Sequence, residues 1–102
     1  MTLSESQKKY LRGLGHDLKP IITVGNAGLT KSVLAEYEST LAHHELIKVK
    51  IRSGDQASRD EMIQTLCKKH FAELIQCTGS IALIYRANHD KKAHKRLRIP
   101  SR

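Results

Sequence analysis

Val24-Gly25-Asn26-Ala27-Gly28-Leu29-Thr30 divides two kinds of apolar spacing. Before it, Ile21 to Val24 is an apolar run that reads as a buried strand; after it, Val33, Leu34, Tyr37 and Leu41 recur at intervals that put them on one face of a helix. The stretch is therefore a strand-to-helix turn. Two glycines separated by two short residues let the backbone turn sharply and approach a partner closely, while the first N–H groups of the following helix stay without intrahelical acceptors. With the positive end of the helix dipole behind them, those N–H groups suit an anion such as a phosphate. A tight turn wants glycine whether or not anything binds, so the neighbours must decide.

Upstream, Ser4 and Gln7 stand at the spacing of a capping box that opens a first helix. Tyr10, Leu11, Leu14 and Leu18 form its apolar line, Lys8, Lys9 and Arg12 lie opposite, and Pro20 ends the helix before a first strand at Ile21. Downstream, Thr30 is the N-cap of a second helix that runs to about Ala42, with Glu36 and Glu38 among its polar positions. Leu46 to Arg52 then alternates strictly: Ile47, Val49 and Ile51 face one way and Lys48, Lys50 and Arg52 the other. One face of that strand packs, and the other meets solvent or an anion. Ser53-Gly54-Asp55 is a turn, and Ser58 with Glu61 forms a second capping box for a third helix carrying Met62, Ile63, Leu66, Cys67 and His70 on one stripe. Ala72 to Cys77 and Ile81 to Arg86, joined by Thr78-Gly79-Ser80, make an antiparallel hairpin. The order is helix, strand, helix, strand, helix, strand, strand, an α/β sandwich whose first two strands are parallel through the intervening helix.

The chain has 102 residues, enough for one domain with its own core. It carries 18 basic against 10 acidic residues, a net charge of +8, and +6 of this lies from Arg86 onward, where seven cations oppose Asp90 alone. Residues 1–88 are thus a nearly balanced domain, and 89–102 are a basic, flexible tail that ends in Arg98, Pro100 and Arg102. Such an arm suits a polyanion, and nucleic acid fits better than membrane because no amphipathic apolar face or lipidation motif accompanies the charge. No run approaches the roughly 20 apolar residues of a membrane span, and Met1-Thr2-Leu3-Ser4 lacks a signal-peptide pattern. A cytoplasmic protein is expected, with Cys67 and Cys77 as reduced thiols in the core.

Several segments together carry a family resemblance: Gln7-Lys8-Lys9-Tyr10-Leu11-Arg12, His16-Asp17-Leu18-Lys19-Pro20, the glycine stretch from Val24 to Thr30, His44 to Lys50, and Gly79 through Ile84-Tyr85-Arg86. In this order the chain resembles the CRM domain, the chloroplast RNA splicing and ribosome maturation module, in its stand-alone bacterial YhbY-type form, from about Leu3 to Ala87. The resemblance implies a four-stranded mixed sheet with helices, similar to the C-terminal domain of translation initiation factor three. It also implies RNA binding through the glycine loop and, for the bacterial members, a tie to precursors of the large ribosomal subunit. Where Asn26 stands the family commonly has lysine, so binding here leans on backbone N–H groups, Lys31 and the tail.

The candidate RNA-binding residues are Gly25, Asn26, Ala27, Gly28 and Lys31, flanked by Lys8, Lys9, Arg12 and Lys19, with Lys48, Lys50 and Arg86 as further contacts. One phenylalanine, three tyrosines and no tryptophan leave little for base stacking, though Tyr85 is free to stack, so shape and phosphates of a folded RNA are the expected targets. The expected partner is ribosomal RNA in a pre-large-subunit particle, bound by a monomer without cofactor or catalysis. Two rivals remain. A phosphometabolite enzyme would need a deep acid-lined pocket near Gly28, and an adaptor would dock on the ribosome through the tail alone. Cys67, His70, Cys77, His43 and His44 are a metal set only on paper, since the first three match helix and strand stripes.

Overall fold

The computed structural model describes residues 3–52 and 54–100; Met1, Thr2, Ser53 (the first residue of the expected turn), Ser101 and the tail's Arg102 lie outside the described residues. The elements are α1 (Glu5–Gly15), β1 (Pro20–Val24), α2 (Lys31–His44), β2 (Leu46–Ile51), α3 (Gln56–Lys68), β3 (Glu73–Thr78) and β4 (Ile81–Tyr85), followed by a single 3-10 turn, Ala93–Lys95. The sheet order is β1-β2-β4-β3. β1 runs parallel to β2, while β4 is antiparallel to both β2 and β3. This is the expected mixed four-stranded sheet. Pro20, which has no N–H to donate, opens an edge strand, where its missing ladder bond costs least.

Alternation along β2 sends its side chains to two separate cores. Ile47, Val49 and Ile51 join Tyr37 and Leu41 of α2 and Ile63 and Leu66 of α3 on one face. Leu46 joins Leu11 of α1 with Ile75, Leu83 and Tyr85 on the other. The fold is thus three layers. The second sheet face, expected to be open, is half covered by α1, and only the part bearing Lys48 and Lys50 is left uncovered by that core.

α1 starts as expected, Ser4 Oγ accepting the Gln7 N–H at 3.2 Å while Gln7 Oε1 accepts the Ser4 N–H at 2.9 Å. Its buried line differs from the predicted one. Leu11 and Gly15 face the sheet, and Tyr10, Leu14 and Leu18 are exposed. The cause is Gly15, which presses so close to β4 that an added Cβ would lie 2.5 Å from Leu83 Cδ2. Glycine at the contact draws the Leu11–Gly15 line inward, and neighbouring positions then sit about 100° round the helix. In β1, Ile21 is exposed too, because this edge strand buries only Ile22 and Val24.

α2 is capped by Thr30, whose hydroxyl accepts the Val33 N–H at 3.2 Å, and it runs two residues past the expected end to His44. Glu45 then takes a left-handed φ of 66°. α3 begins earlier than predicted. Asp55, not Ser58, is its N-cap, the carboxylate accepting the Ser58 N–H at 2.9 Å, so Ser58 and Glu61 lie inside the helix. Asp55 caps as well as serine, adds a negative charge at the dipole's positive end, and follows directly on the Gly54 turn. Cys67 packs against the first core, but Cys77 is exposed on edge strand β3.

The basic segment after Asn88 lies against the body. Leu97 and Ile99 pack on the second core. Glu45, only 1% exposed, pairs with Lys91 Nζ at 3.2 Å and accepts the Leu97 N–H at 3.3 Å. Gln7 Nε2 donates to the Pro100 carbonyl at 2.9 Å. A buried carboxylate needs such partners, and the tail supplies them.

Candidate nucleic-acid interface

The glycine loop leaves β1 at the end of the sheet where Lys50, Ile81 and Thr78 stand in register. Val24 accepts the Arg52 N–H at 2.9 Å, which draws the exit of β2 alongside the loop. The Gly28 N–H returns to the Gly25 carbonyl at 3.0 Å, closing a four-residue turn, and the Thr30 N–H bonds the Gly28 carbonyl at 3.0 Å. Gly28 has φ +75°, a conformation that L side chains resist.

Gly25 is different: its φ is not left-handed and an added Cβ would meet nothing within 4 Å. The protein's own packing gives no reason for glycine there. Among the described residues, the amides of Asn26, Ala27, Lys31 and Ser32 have no hydrogen-bond acceptor, and all four residues are exposed. Loop and first helical turn together offer an anion a set of free N–H donors.

Cations gather beside the loop. Lys31 and Arg52 are exposed on either side of it. Lys50, also exposed, is paired in register with Thr23 of β1. Lys48 points to the same sheet face, and with Arg12 of α1, His16 just after that helix, Gln76 and Thr78 it lines a cleft of about 360 Å³ that has no carboxylate among its lining residues. Lys19 is exposed just before Pro20, which pairs in register with Lys48. Arg52, which the alternation of β2 groups with Lys48 and Lys50, is exposed at this surface, and His16, which is not among the sequence candidates, joins it.

Three predicted residues lie elsewhere. Lys8 faces Glu73 across 3.9 Å, at the opposite end of the sheet, where Glu73, Tyr85 and Leu46 are in register. Lys9 is on the outer side of α1, in a groove with Tyr10, Gly13 and Pro100. Arg86 is drawn inward: its guanidinium donates to both carboxylate oxygens of Glu38, one at 2.9 Å, and to the His70 carbonyl at 3.0 Å. Those bonds, with one from His70, hold the Glu38 carboxyl down at about 2. Tyr85, free to stack in the sequence reading, is 5% exposed and belongs to the second core. Burial raises its hydroxyl pKa above the ordinary tyrosine value.

Cys67, pushed up to about 11 by burial, is a poor nucleophile. Among the described residues no three His, Cys, Asp or Glu side chains gather as a metal would require, and no helix is long and apolar enough to cross a membrane.

Comparison with known proteins agrees with the fold. The family model described as the CRS1 / YhbY (CRM) domain matches residues 3–86. An RNA-binding protein of Haemophilus influenzae is 42% identical over 91 residues, covering 89% of this chain and 92% of the relative. A probable RNA-binding protein of Pseudomonas aeruginosa is 43% identical over 88 residues, covering 86% and 85% respectively. The solution structure of a hypothetical protein from Staphylococcus aureus superposes with a TM-score of 0.77 at 32% identity, covering 97% of this chain and all of that one.

Proposed function

Because the chain belongs to the CRS1 / YhbY (CRM) domain family, we propose that it binds folded ribosomal RNA in precursors of the large ribosomal subunit and assists their assembly, as a cytoplasmic monomer without cofactor or catalytic step. The observation that carries the reading is Gly25, a glycine that neither backbone conformation nor packing requires, beside a row of amides without acceptors. A side chain there would stand between those amides and a phosphate. The RNA backbone approaches the turn from Gly25 to Gly28, takes N–H donors from Asn26, Ala27, Lys31 and Ser32, and is flanked by Lys31, Lys50 and Arg52. Further along the same strand, phosphates reach Lys48, Arg12 and His16, with Lys19 at the margin.

Asn26 in place of lysine makes the main chain the larger part of the grip. The acid-free cleft speaks against a phosphometabolite enzyme, and a tail packed on the body speaks against docking through the tail alone. The test is affinity for ribosomal RNA hairpins as a function of salt. Contact with about four to six phosphates gives a log–log slope of about −3 to −5, and Gly25→Asp lowers affinity at every salt concentration while melting like the parent. A flat salt response, or an unchanged affinity in Gly25→Asp, would refute the proposal.

A further inference from the structure

At the opposite end of the sheet one residue breaks two local rules at once. α3 ends at Lys68, and the Ala72 N–H reaches back to the Cys67 carbonyl at 2.8 Å, a closure that places a left-handed residue immediately before Ala72. Glycine or asparagine usually fills that position. Here it is Phe71, with φ +56°, and the residue is 88% exposed. A bulky residue in this conformation is strained, and an aromatic ring in water forgoes its burial, yet nothing in the fold compensates either cost.

The surroundings say what the ring is for. Lys68 and Lys69 precede it and are exposed. Phe71 itself lines a hollow of about 530 Å³ together with Leu3, Tyr85, Ala87, the cation Lys68, His89 and the carboxylate of Glu73. Glu73, the acid of this region, faces Lys8. An isolated aromatic face set among cations is not the broad apolar patch a protein partner needs. It is the pairing that single-stranded nucleic acid uses, a base on the ring and its phosphates on lysine.

We propose that Phe71 is a stacking platform for an unpaired base, with Lys68 and Lys69 on the adjoining phosphates. The inference rests on the RNA-binding reading and extends it: the glycine loop leaves β1 and Phe71 precedes β3, at opposite edges and opposite ends of the sheet, so the RNA that meets the loop with its folded part carries an unpaired stretch about one strand length along and three strand spacings across, ~22–25 Å away.

The experiment compares a blunt RNA hairpin with the same hairpin bearing single-stranded adenosine extensions. The parent binds the extended hairpin more tightly. Phe71→Gly, which relieves the left-handed strain and melts no lower than the parent, loses that preference by about 5- to 150-fold, the range of a single base–aromatic stack, and leaves blunt-hairpin affinity unchanged. Phe71→Trp keeps the preference. An unaltered preference in Phe71→Gly, or an equal loss on both hairpins, overturns the platform. Gly25→Asp, run alongside, weakens both hairpins if the loop reading holds; a failure there condemns the loop reading separately.

Discussion

Gly25 and Gly28 look alike in the sequence and differ in the structure. Gly28 is needed by its own backbone, at φ +75°, so Gly28→Ala should lower unfolding free energy by about 1–2 kcal/mol, the cost of an L residue in the left-handed region. Gly25→Ala should shift it by less than about 0.5 kcal/mol, and could stabilise by restricting the unfolded chain. Urea unfolding of the two variants checks this, with RNA affinity in parallel: Gly25→Ala should bind more weakly despite its normal stability. Equal stability losses would mean that Gly25 too is a purely structural glycine. The sequence makes the loop legible because glycine spacing is local. It cannot say which glycine serves the fold, since that depends on φ and on what stands nearby. Phe71 is illegible for the same reason, its meaning lying in a backbone angle rather than in a pattern.

At the scale of elements, periodicity locates the three α-helices and the four strands but not the 3-10 turn Ala93–Lys95, because core-facing spacing is written into the chain. What the spacing does not show is how two elements meet. α1 turns its Leu11–Gly15 line inward because Gly15 fits Leu83, a contact between residues 68 apart in the chain. Arg86, counted with the tail cations, instead ties three elements together. Its bonds to Glu38 of α2 and to the His70 carbonyl after α3 lock β4 to both helices. Glu38 has its folded pKa depressed from 4.5 to about 2, so this tie contributes fully above about pH 4.5 and is lost as pH falls toward 2. Nearly half of the Glu38 side chain is exposed, which screens the tie to about 1 kcal/mol. Urea midpoints at pH 7 and pH 3 should therefore converge between the parent and Glu38→Gln as the pH is lowered. A gap that stays constant would show that the carboxylate charge contributes nothing.

For the whole molecule, the charge count of the C-terminal segment conceals its apolar residues. Leu97 and Ile99 close the second core, and Lys91 partners the buried Glu45, so Lys91, Lys92, Lys95, Arg96 and Arg98 are carried on a strap rather than a loose arm. Truncation after Asn88 removes both roles at once. It uncovers the second core, costing about 2 kcal/mol from two partly buried aliphatic side chains, while Glu45 is relieved of part of its burial by access to water. It also strips most of the chain's net charge, so RNA affinity should fall and the salt slope should become shallower. What should survive is the difference between Gly25 and Gly25→Asp measured within the truncated protein, because the loop and its row of amides lie at the other end of the sheet from Tyr85 and Arg86, where the strap begins. If that difference disappears with the strap while thermal unfolding remains cooperative, the cations after Asn88 hold the RNA and the glycine loop does not.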